Sequence, residues 1–568
     1  MKPRLHAWLT IGSYCLTAGL GVVVLTAVGW FLWQGTLGSG VLGSTEHSSM
    51  FAMRTFFDRP ALGRSVLLSL WVGIASSLMA LWITRHLLAG GGRFGRLVTR
   101  FLAPVLAIPH VAFAIGISLL IWPGGWFARL LSPWFTGWQR VPDWVIIGDP
   151  FGLTLIFGLV LREVPFLVMM ALVASRGLNV NSSMRAGQSL GLTSIESWHR
   201  LVWPQLWPRL RLPFVLVLAY GLTNVEMTMV LGPNMPPSLS VLVLQLFYDP
   251  NPQQFVQLPW AALCLGALTL AVIAGTLAIL ECSERGEARR AWSGSWSPLQ
   301  RFFSALASVF AQGIGWLIFG VFAFGLVASI LFALSRQWRF PDAFPELSMQ
   351  TIAQLGASLN NALGTTLFVA IVSAGFSLLL LVFVLEYLAR RGRRDWPKIW
   401  QCGLYAPLIL PQIVVVLSLY AAVLPLGFEV GTALTVFGHS LFIFCFSALL
   451  LGSSWLQFDP ALIRQAESLG LSPMTTLTRI KIPMLAGPLL LTFVLSLTVS
   501  FSLYLPTLVF GGGRVTTLLT EGVHFATNLR RPQMAVFATA QTLLSMIGLA
   551  ICFGVLHLLD RKRQGIML

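Results

Sequence analysis

The sequence predicts an all-α integral membrane protein of about twelve transmembrane helices, built as two tandem six-helix repeats with both termini in the cytoplasm. Three observations predict it. Of the 568 residues, 56% are hydrophobic and only 10% charged, with a mean hydropathy of +0.79, whereas an ordinary soluble domain carries about 25% charged residues. Apolar runs long enough to cross a hydrocarbon core of about 30 Å recur along the whole chain. Finally, the polar stretch Arg185-Ala-Gly-Gln-Ser-Leu-Gly-Leu192 returns as Arg464-Gln-Ala-Glu-Ser-Leu-Gly-Leu471.

Taken in order, the first half supplies spans at 7–33, 65–88, 101–122, 151–175, 210–232 and 259–282. The second half supplies 311–335, 362–388, 403–424, 431–456, 487–510 and 533–559. The apolar run from Ala7 to Trp33, behind Lys2 and Arg4, is too long for a signal-peptide core and reads as a retained first span. Orientation follows from the basic residues, which are enriched in cytoplasmic loops. With the N-terminus inside, Arg85, Arg93, Arg96, Arg100, Arg176, Arg185, Arg200, Arg209 and Arg211 fall in the cytoplasm. So do the clusters at Arg285 to Arg301, Arg390 to Lys398, Arg464 to Lys481 and Arg561 to Arg563.

Charge does not suggest nucleic acid. The 37 Lys and Arg against 20 Asp and Glu give a formal +17, yet no basic block is interleaved with stacking aromatics in a soluble segment. The six cysteines lack CxxC spacing and clustered histidines, so no metal centre is expected. Between the third and fourth spans, Pro123 to Pro150 carries Trp126, Trp134, Trp138 and Trp144 among prolines and glycines, the composition of a segment anchored at the lipid headgroups.

The repeat sets the organisation. Its register continues through Arg200 with Arg479, Leu201 with Ile480 and Pro204 with Pro483. Ala61-Leu-Gly63 likewise pairs with Ala362-Leu-Gly364, and Ala103-Pro104 with Ala406-Pro407. The expected units are 1–282 and 301–568, joined by a cytoplasmic linker at 283–300. Because an even number of spans separates equivalent points, the units face the same way, with a path for solute between them. ATP-driven permeases and twelve-helix secondary carriers both have this plan. The long polar loop between the fourth and fifth spans of each half asks for a cytoplasmic partner. In both loops Ser-Leu-Gly reads as a helix ended by a glycine turn, and the proline thirteen residues on marks a second short helix.

These loops resemble the EAA loop of binding-protein-dependent ABC importer permeases of the MetI-like type. Arg185, Ala186, Gly187, Gly191, Leu201 and Pro204 match it in the first copy, and Arg464, Gln465, Ala466, Gly470, Ile480 and Pro483 in the second. In both copies arginine replaces the family's leading glutamate, and Gln465 stands where the first alanine would be. Fusion of two such units is similar to the ferric iron and thiamine permeases and to related fused permeases without an assigned substrate. The resemblance implies an inner-membrane, multi-pass permease subunit whose loops couple to two separate ATP-binding subunits. It further implies a soluble solute-binding protein outside and a small solute as cargo, moved by alternating access. ATP and Mg belong on the partner subunits, and none is expected here: only four lysines exist (Lys2, Lys398, Lys481, Lys562) and none completes a GxxxxGK[ST] loop. Enzyme motifs such as HExxH are absent as well.

Polar residues inside spans are costly and therefore mark a candidate substrate path: Asn224, Glu226, Arg162, His110 and His439. The repeat mate of Glu226 is Leu505, and Gln412 holds the place of His110. Glu226 could instead pair with Arg162, Arg162 and Glu163 could satisfy one another near Pro165, and each histidine could be a hydrogen-bonded packing residue. The alternatives to a binding-protein-dependent importer are an ion-driven carrier working through Glu226 and an ABC permease without a binding protein.

Overall fold

A computed structural model describes residues 28–29, 49–90, 104–291, 296–396 and 398–564. All of the expected first span, 7–33, except 28–29, and the basic residues Arg93, Arg96 and Arg100 lie outside them. Among the described residues every regular element is helical apart from one isolated bridge, Ser335 to Leu347. Among the described residues eight helices are long and apolar enough to cross a membrane, and up to ten if each of two bent pairs is one span.

Eight of the described elements recur in the same order in both halves, to which the second adds Pro298–Ala333 and Lys398–Ile409. In the first these are α1 (Leu62–Ala89), α2 (His110–Ile121), α3 (Leu153–Ser175), the loop helix α4 (Val180–Ser189), α5 (Trp203–Thr223), α6 (Glu226–Leu231), α7 (Leu239–Tyr248) and α8 (Leu258–Ala291). The second opens with α9 (Pro298–Ala333), then α10 (Gly356–Arg390), α11 (Lys398–Ile409), α12 (Gln412–Val423) and α13 (Thr432–Leu456). It closes with the loop helix α14 (Pro460–Ser468), α15 (Ala486–Phe501), α16 (Tyr504–Gly511), α17 (Leu518–Thr527) and α18 (Arg531–Gln564). Helix α8 carries on to Ala291, so much of the expected linker is helix.

Four expected spans prove to be broken, at equivalent places in the halves. The third and ninth break at Pro109 and Pro411, which lack an N–H and hold an extended backbone, ψ 148° and 122°. The angle between Gly403–Ile409 and Gln412–Leu426 is 113°. The fifth breaks after Thr223, where Asn224 is extended and caps the next turn: its Oδ1 accepts from the N–H groups of Met227 at 2.8 Å and Thr228 at 3.2 Å. The eleventh breaks at Ser502 and Leu503.

Hydroxyls join the helices across the apolar interior, where Ser and Thr permit close approach and interhelical bonds. Ser377 donates to the carbonyl of Ser440, Ser447 bonds Ser496, and Ser69 and Thr366 accept from the N–H groups of Leu239 and Leu518 at the starts of α7 and α17. The halves also interlock. Helix α9 of the second half packs on α1 and α2 of the first, α2 also touches α17 and α18, and α12 lies against α7 and α8. Phe113 on α2 stacks on Phe322 of α9 at 4.2 Å.

The aromatic segment divides. Trp134 is 93% exposed and Trp144 is exposed, as an interfacial anchor requires, but Trp126 is buried and donates to the carbonyl of Ala343. Beside it Arg129 is buried, its guanidinium donating to the carbonyls of Gly124, Trp338 and Arg339.

Candidate functional site

The two polar loops adopt one design. Each is a loop helix, a left-handed glycine, a short capped helix and a single π turn running into a membrane helix. Gly191 has φ +78° and Gly470 φ +84°, conformations that side-chain-bearing residues rarely adopt. The N–H of Leu192 returns to the carbonyl of Gly187 at 3.1 Å, and that of Leu471 to Ala466 at 3.2 Å, closing both loop helices in the same way. Short helices follow at Ser194–Ser197, capped by Thr193 with Glu196, and at Pro473–Thr476, capped by Ser472. Pro204 and Pro483 then sit just beyond the π turns, near the start of the next helix, where their missing N–H costs little.

The helices of each loop touch at the third motif position, which must be small. A Cβ on Gly187 would overlap Ser197 Oγ, and Ala466 is buried at the matching place. By contrast Arg185, Ala186, Arg464 and Gln465 are exposed, as are Leu190 (76%) and Leu469 (82%) beside the two left-handed glycines. Each loop therefore offers an apolar tip with polar neighbours. Both lie on one face of the molecule: Arg301 at the start of α9 reaches the first loop, and α9 and α10 then cross and return to the second loop at Glu386.

Ion pairs fix these loops to the helices behind them, with opposite polarity in the two halves. At the end of α1, Arg85 pairs with Glu284 at 3.3 Å and donates to His199 Nδ1 at 3.0 Å. Burial, then the neighbouring Arg85 and His86, depress the His199 imidazolium to about 3, so the ring is a neutral acceptor at physiological pH. At the end of α10 the charge is Glu386, which receives Lys481 Nζ at 2.9 Å and Arg390 Nε at 2.9 Å. Lys481, read from sequence as one more basic residue of the loop, is buried over the ring of Trp455. In the first loop Glu196 is buried. Burial alone would raise its pKa, but the N–H and hydroxyl of Thr193 and the guanidinium of Arg301 bring it below its ordinary value.

The candidate path residues form two clusters. In the first half, Arg162 donates to the carbonyls of Val105 and Leu106, both at 3.1 Å, and not to Glu226. Glu163 lies 3.9 Å from His110 Nε2, whose ring is tilted against Tyr220 at 4.9 Å. Tyr220 in turn donates to Glu226 Oε1 at 3.3 Å across the break between α5 and α6. Asn224 forms that break, and its Nδ2 is buried without a partner. His439 belongs to the other cluster, bonding Ser500 Oγ through Nδ1 at 2.8 Å and Thr507 Oγ1 through Nε2 at 2.9 Å. It thereby ties both sides of the α15–α16 break to α13, the packing role open to a membrane histidine. Tyr220 escaped the sequence reading because tyrosine carries no hydropathy signal; its place six residues before an in-span glutamate was the available clue.

Comparison with known proteins supplies the class. No protein-family model matches the chain. Over 536 residues, 94% of this chain and 94% of the relative, it is 27% identical to the inner membrane ABC transporter permease protein YnjC of Escherichia coli (strain K12). The chain is similar to an ABC permease along nearly all its length. Together with its apolar helices this makes it a multi-pass protein of the inner membrane, and the similarity supports a permease subunit with a transport role rather than an enzyme.

Proposed function

We propose that the chain is the fused permease of a type I ABC importer, its two MetI-like units (1–282 and 301–568) enclosing the path of a small solute. The observation that carries this reading is the repeated loop: two copies on one face, each closed by a left-handed glycine and each exposing a leucine at its tip. In this reading the loop face is cytoplasmic, Arg185, Ala186, Gly191, Arg464, Gln465 and Gly470 flank the docking tips, and Gly187, Ala466, Pro204 and Pro483 hold their shape. Two ATP-binding subunits grip the tips, carry ATP and Mg, and close on each other. The interlocked helices convert that closure into opening toward one side or the other, a coupling through rigid elements. A soluble binding protein delivers solute to the opposite face, beside the turns that follow α6 at Gly232 and α16 at Gly512. Lipid surrounds the apolar flanks, and nucleic acid has no part.

The test is to tag the chain, extract it gently from its native membrane and identify the soluble protein retained. An ATP-binding subunit is the expected result. Its reproducible absence, with uptake that proceeds without ATP, would replace the importer by an ion-driven carrier, the reading that an acid at Glu226 would then serve.

A further inference from the structure

The first loop is tied to a helix that belongs by sequence to the other half. We infer that Glu196 is a positioning residue: through Arg301 it fastens the first loop to α9, and α9 carries the movement of that loop to a clasp at Arg129 on the opposite face. The inference rests on the proposed reading of the loops as docking sites for ATP-binding subunits and names a route by which one of them acts.

The inner end of the route is built around one carboxylate. Glu196 is fully buried, and its two oxygens have different tasks. Oε2 accepts the N–H of Thr193 at 2.9 Å and so completes the cap of the short helix Ser194–Ser197, whereas Oε1 accepts from Arg301 Nε at 3.1 Å. The first bond stays within the loop and the second leaves it. Arg301 stands in the first turn of α9, where a cation opposes the helix dipole and a carboxylate beside it is favourable. Trp296, just before α9, adds contacts to the ring of His199 at 5.8 Å and to the guanidinium of Arg200 at 5.6 Å. The exposed tip is one contact away, since α4, which leads to Leu190, meets the short helix where Gly187 faces Ser197. At the matching place in the second loop stands Thr475, whose N–H and hydroxyl bond Ser472 of the same loop.

Helix α9 then spans the molecule. Its 36 residues make it about 54 Å long, and no proline follows Pro298 within it, so it is a stiff link between its ends. It is held closely on the first half along the way. Phe322 stacks on Phe113 at 4.2 Å, and a Cβ on Gly116 would stand 3.2 Å from the carbonyl oxygen of Gly325. Beyond its far end the chain turns across the helix Trp126–Leu131 of the first half. There Arg129 donates to the carbonyls of Trp338 at 3.1 Å and Arg339 at 2.7 Å, its guanidinium lies 4.7 Å above the Trp338 ring, and Trp126 Nε1 donates to the carbonyl of Ala343 at 3.1 Å. Arg129 is buried, so its donors depend on the backbone that follows α9. A shift of α9 must either carry this clasp along or break it.

The experiment is hydrogen exchange, read by mass spectrometry, on the full chain with its co-extracted ATP-binding subunit in lipid nanodiscs, with and without ATP and vanadate. Two substitutions cut the tie from either side. Glu196→Gln keeps the cap, because glutamine also serves in a capping box, and Arg301→Gln alters a half-exposed side chain. In the unaltered chain nucleotide should change exchange both in the first loop, 180–197, and in the outer segment, 335–343. In each variant the loop should still respond and the outer segment should not, and the double variant should match either single one. A tie that only stabilises the fold would raise exchange in both nucleotide states and leave the outer response intact; that result would overturn the inference and leave the importer. An outer segment that ignores nucleotide in the unaltered chain would overturn it equally. Where no ATP-binding subunit is retained, the importer reading fails and the tie is read without nucleotide. Arg301→Gln should then speed exchange about threefold in Ser194–Ser197 and in 335–343 alike, the scale of a partly exposed ion pair, and a change confined to the loop would overturn the route as well.

Discussion

The two halves of this chain are alike at their loops and unlike at their broken spans. Both loops are closed by a glycine at nearly the same φ, +78° and +84°, and both end in an exposed leucine. At the breaks, the first half sets Glu226, Tyr220 and Asn224, whereas the second sets His439 between two hydroxyls. The loops face what the proposed function makes two copies of one partner, so the same shape is needed twice. In the same proposal the breaks line the path of a single asymmetric solute, whose two walls have no reason to match. The difference teaches where symmetry is imposed from outside and where it is free to lapse.

The largest test of that comparison acts on the loops. Replacing Gly191 and Gly470 together by valine forces a β-branched residue into the left-handed region, at about 1–2 kcal/mol or more per site. Solute uptake should be abolished and the ATP-binding subunit lost on extraction. Full transport by the double variant would refute the assigned role.

Next in size is the anchorage with opposite polarity. Lys481→Met removes the buried one of the two partners of Glu386, leaving Arg390, and should cost about 2 kcal/mol, read as a lower midpoint of thermal unfolding in detergent. Adding Glu386→Leu should restore much of it, since an apolar pair of similar size avoids desolvation.

A smaller effect separates the loops from each other. Gly187→Ala, which drives a methyl onto Ser197, should destabilise the first loop by about 1–3 kcal/mol. Ala466→Gly, at the matching site, should cost under about 1 kcal/mol. Hydrogen exchange of each loop in the two variants distinguishes these outcomes.

The smallest effect is one of pH. His199 is held neutral to about 3 in the folded loop, while a free imidazole protonates near 6.5. Between these values the unfolded state binds the extra proton, so loop stability is complete above about 6.5 and declines as pH falls toward 3. His199→Gln should flatten that decline in the first loop. The second loop, which carries Thr478 at the place of His199, should not share the histidine's midpoint.

Much of this was legible in the sequence because it is periodic or repeated. Span positions follow from hydropathy, and the loop design follows from Ser-Leu-Gly and the later proline in two copies. The breaks were less legible. An apolar run such as 210–232 looks continuous to hydropathy, and only the capping geometry of Asn224 reveals where the helix stops. Pairing was the least legible of all. Lys481 and Arg129 look like solvated charges in a list, yet their partners are a carboxylate 95 residues away and carbonyls more than 200 residues away. Such contacts are set by how helices pack, which no local pattern encodes.

The exchange of helices between the halves has a mechanical consequence. Helix α9 belongs by sequence to the second half but lies against α1 and α2 of the first, while α12 lies against α7 and α8. The packed body around α9 is therefore assembled from segments of both halves. Helix α9 packs on α18 of its own half as well as on α1 and α2, so in the proposed permease a slip between moving bodies would have to cut across these shared contacts and not simply follow the boundary at which the sequence repeats.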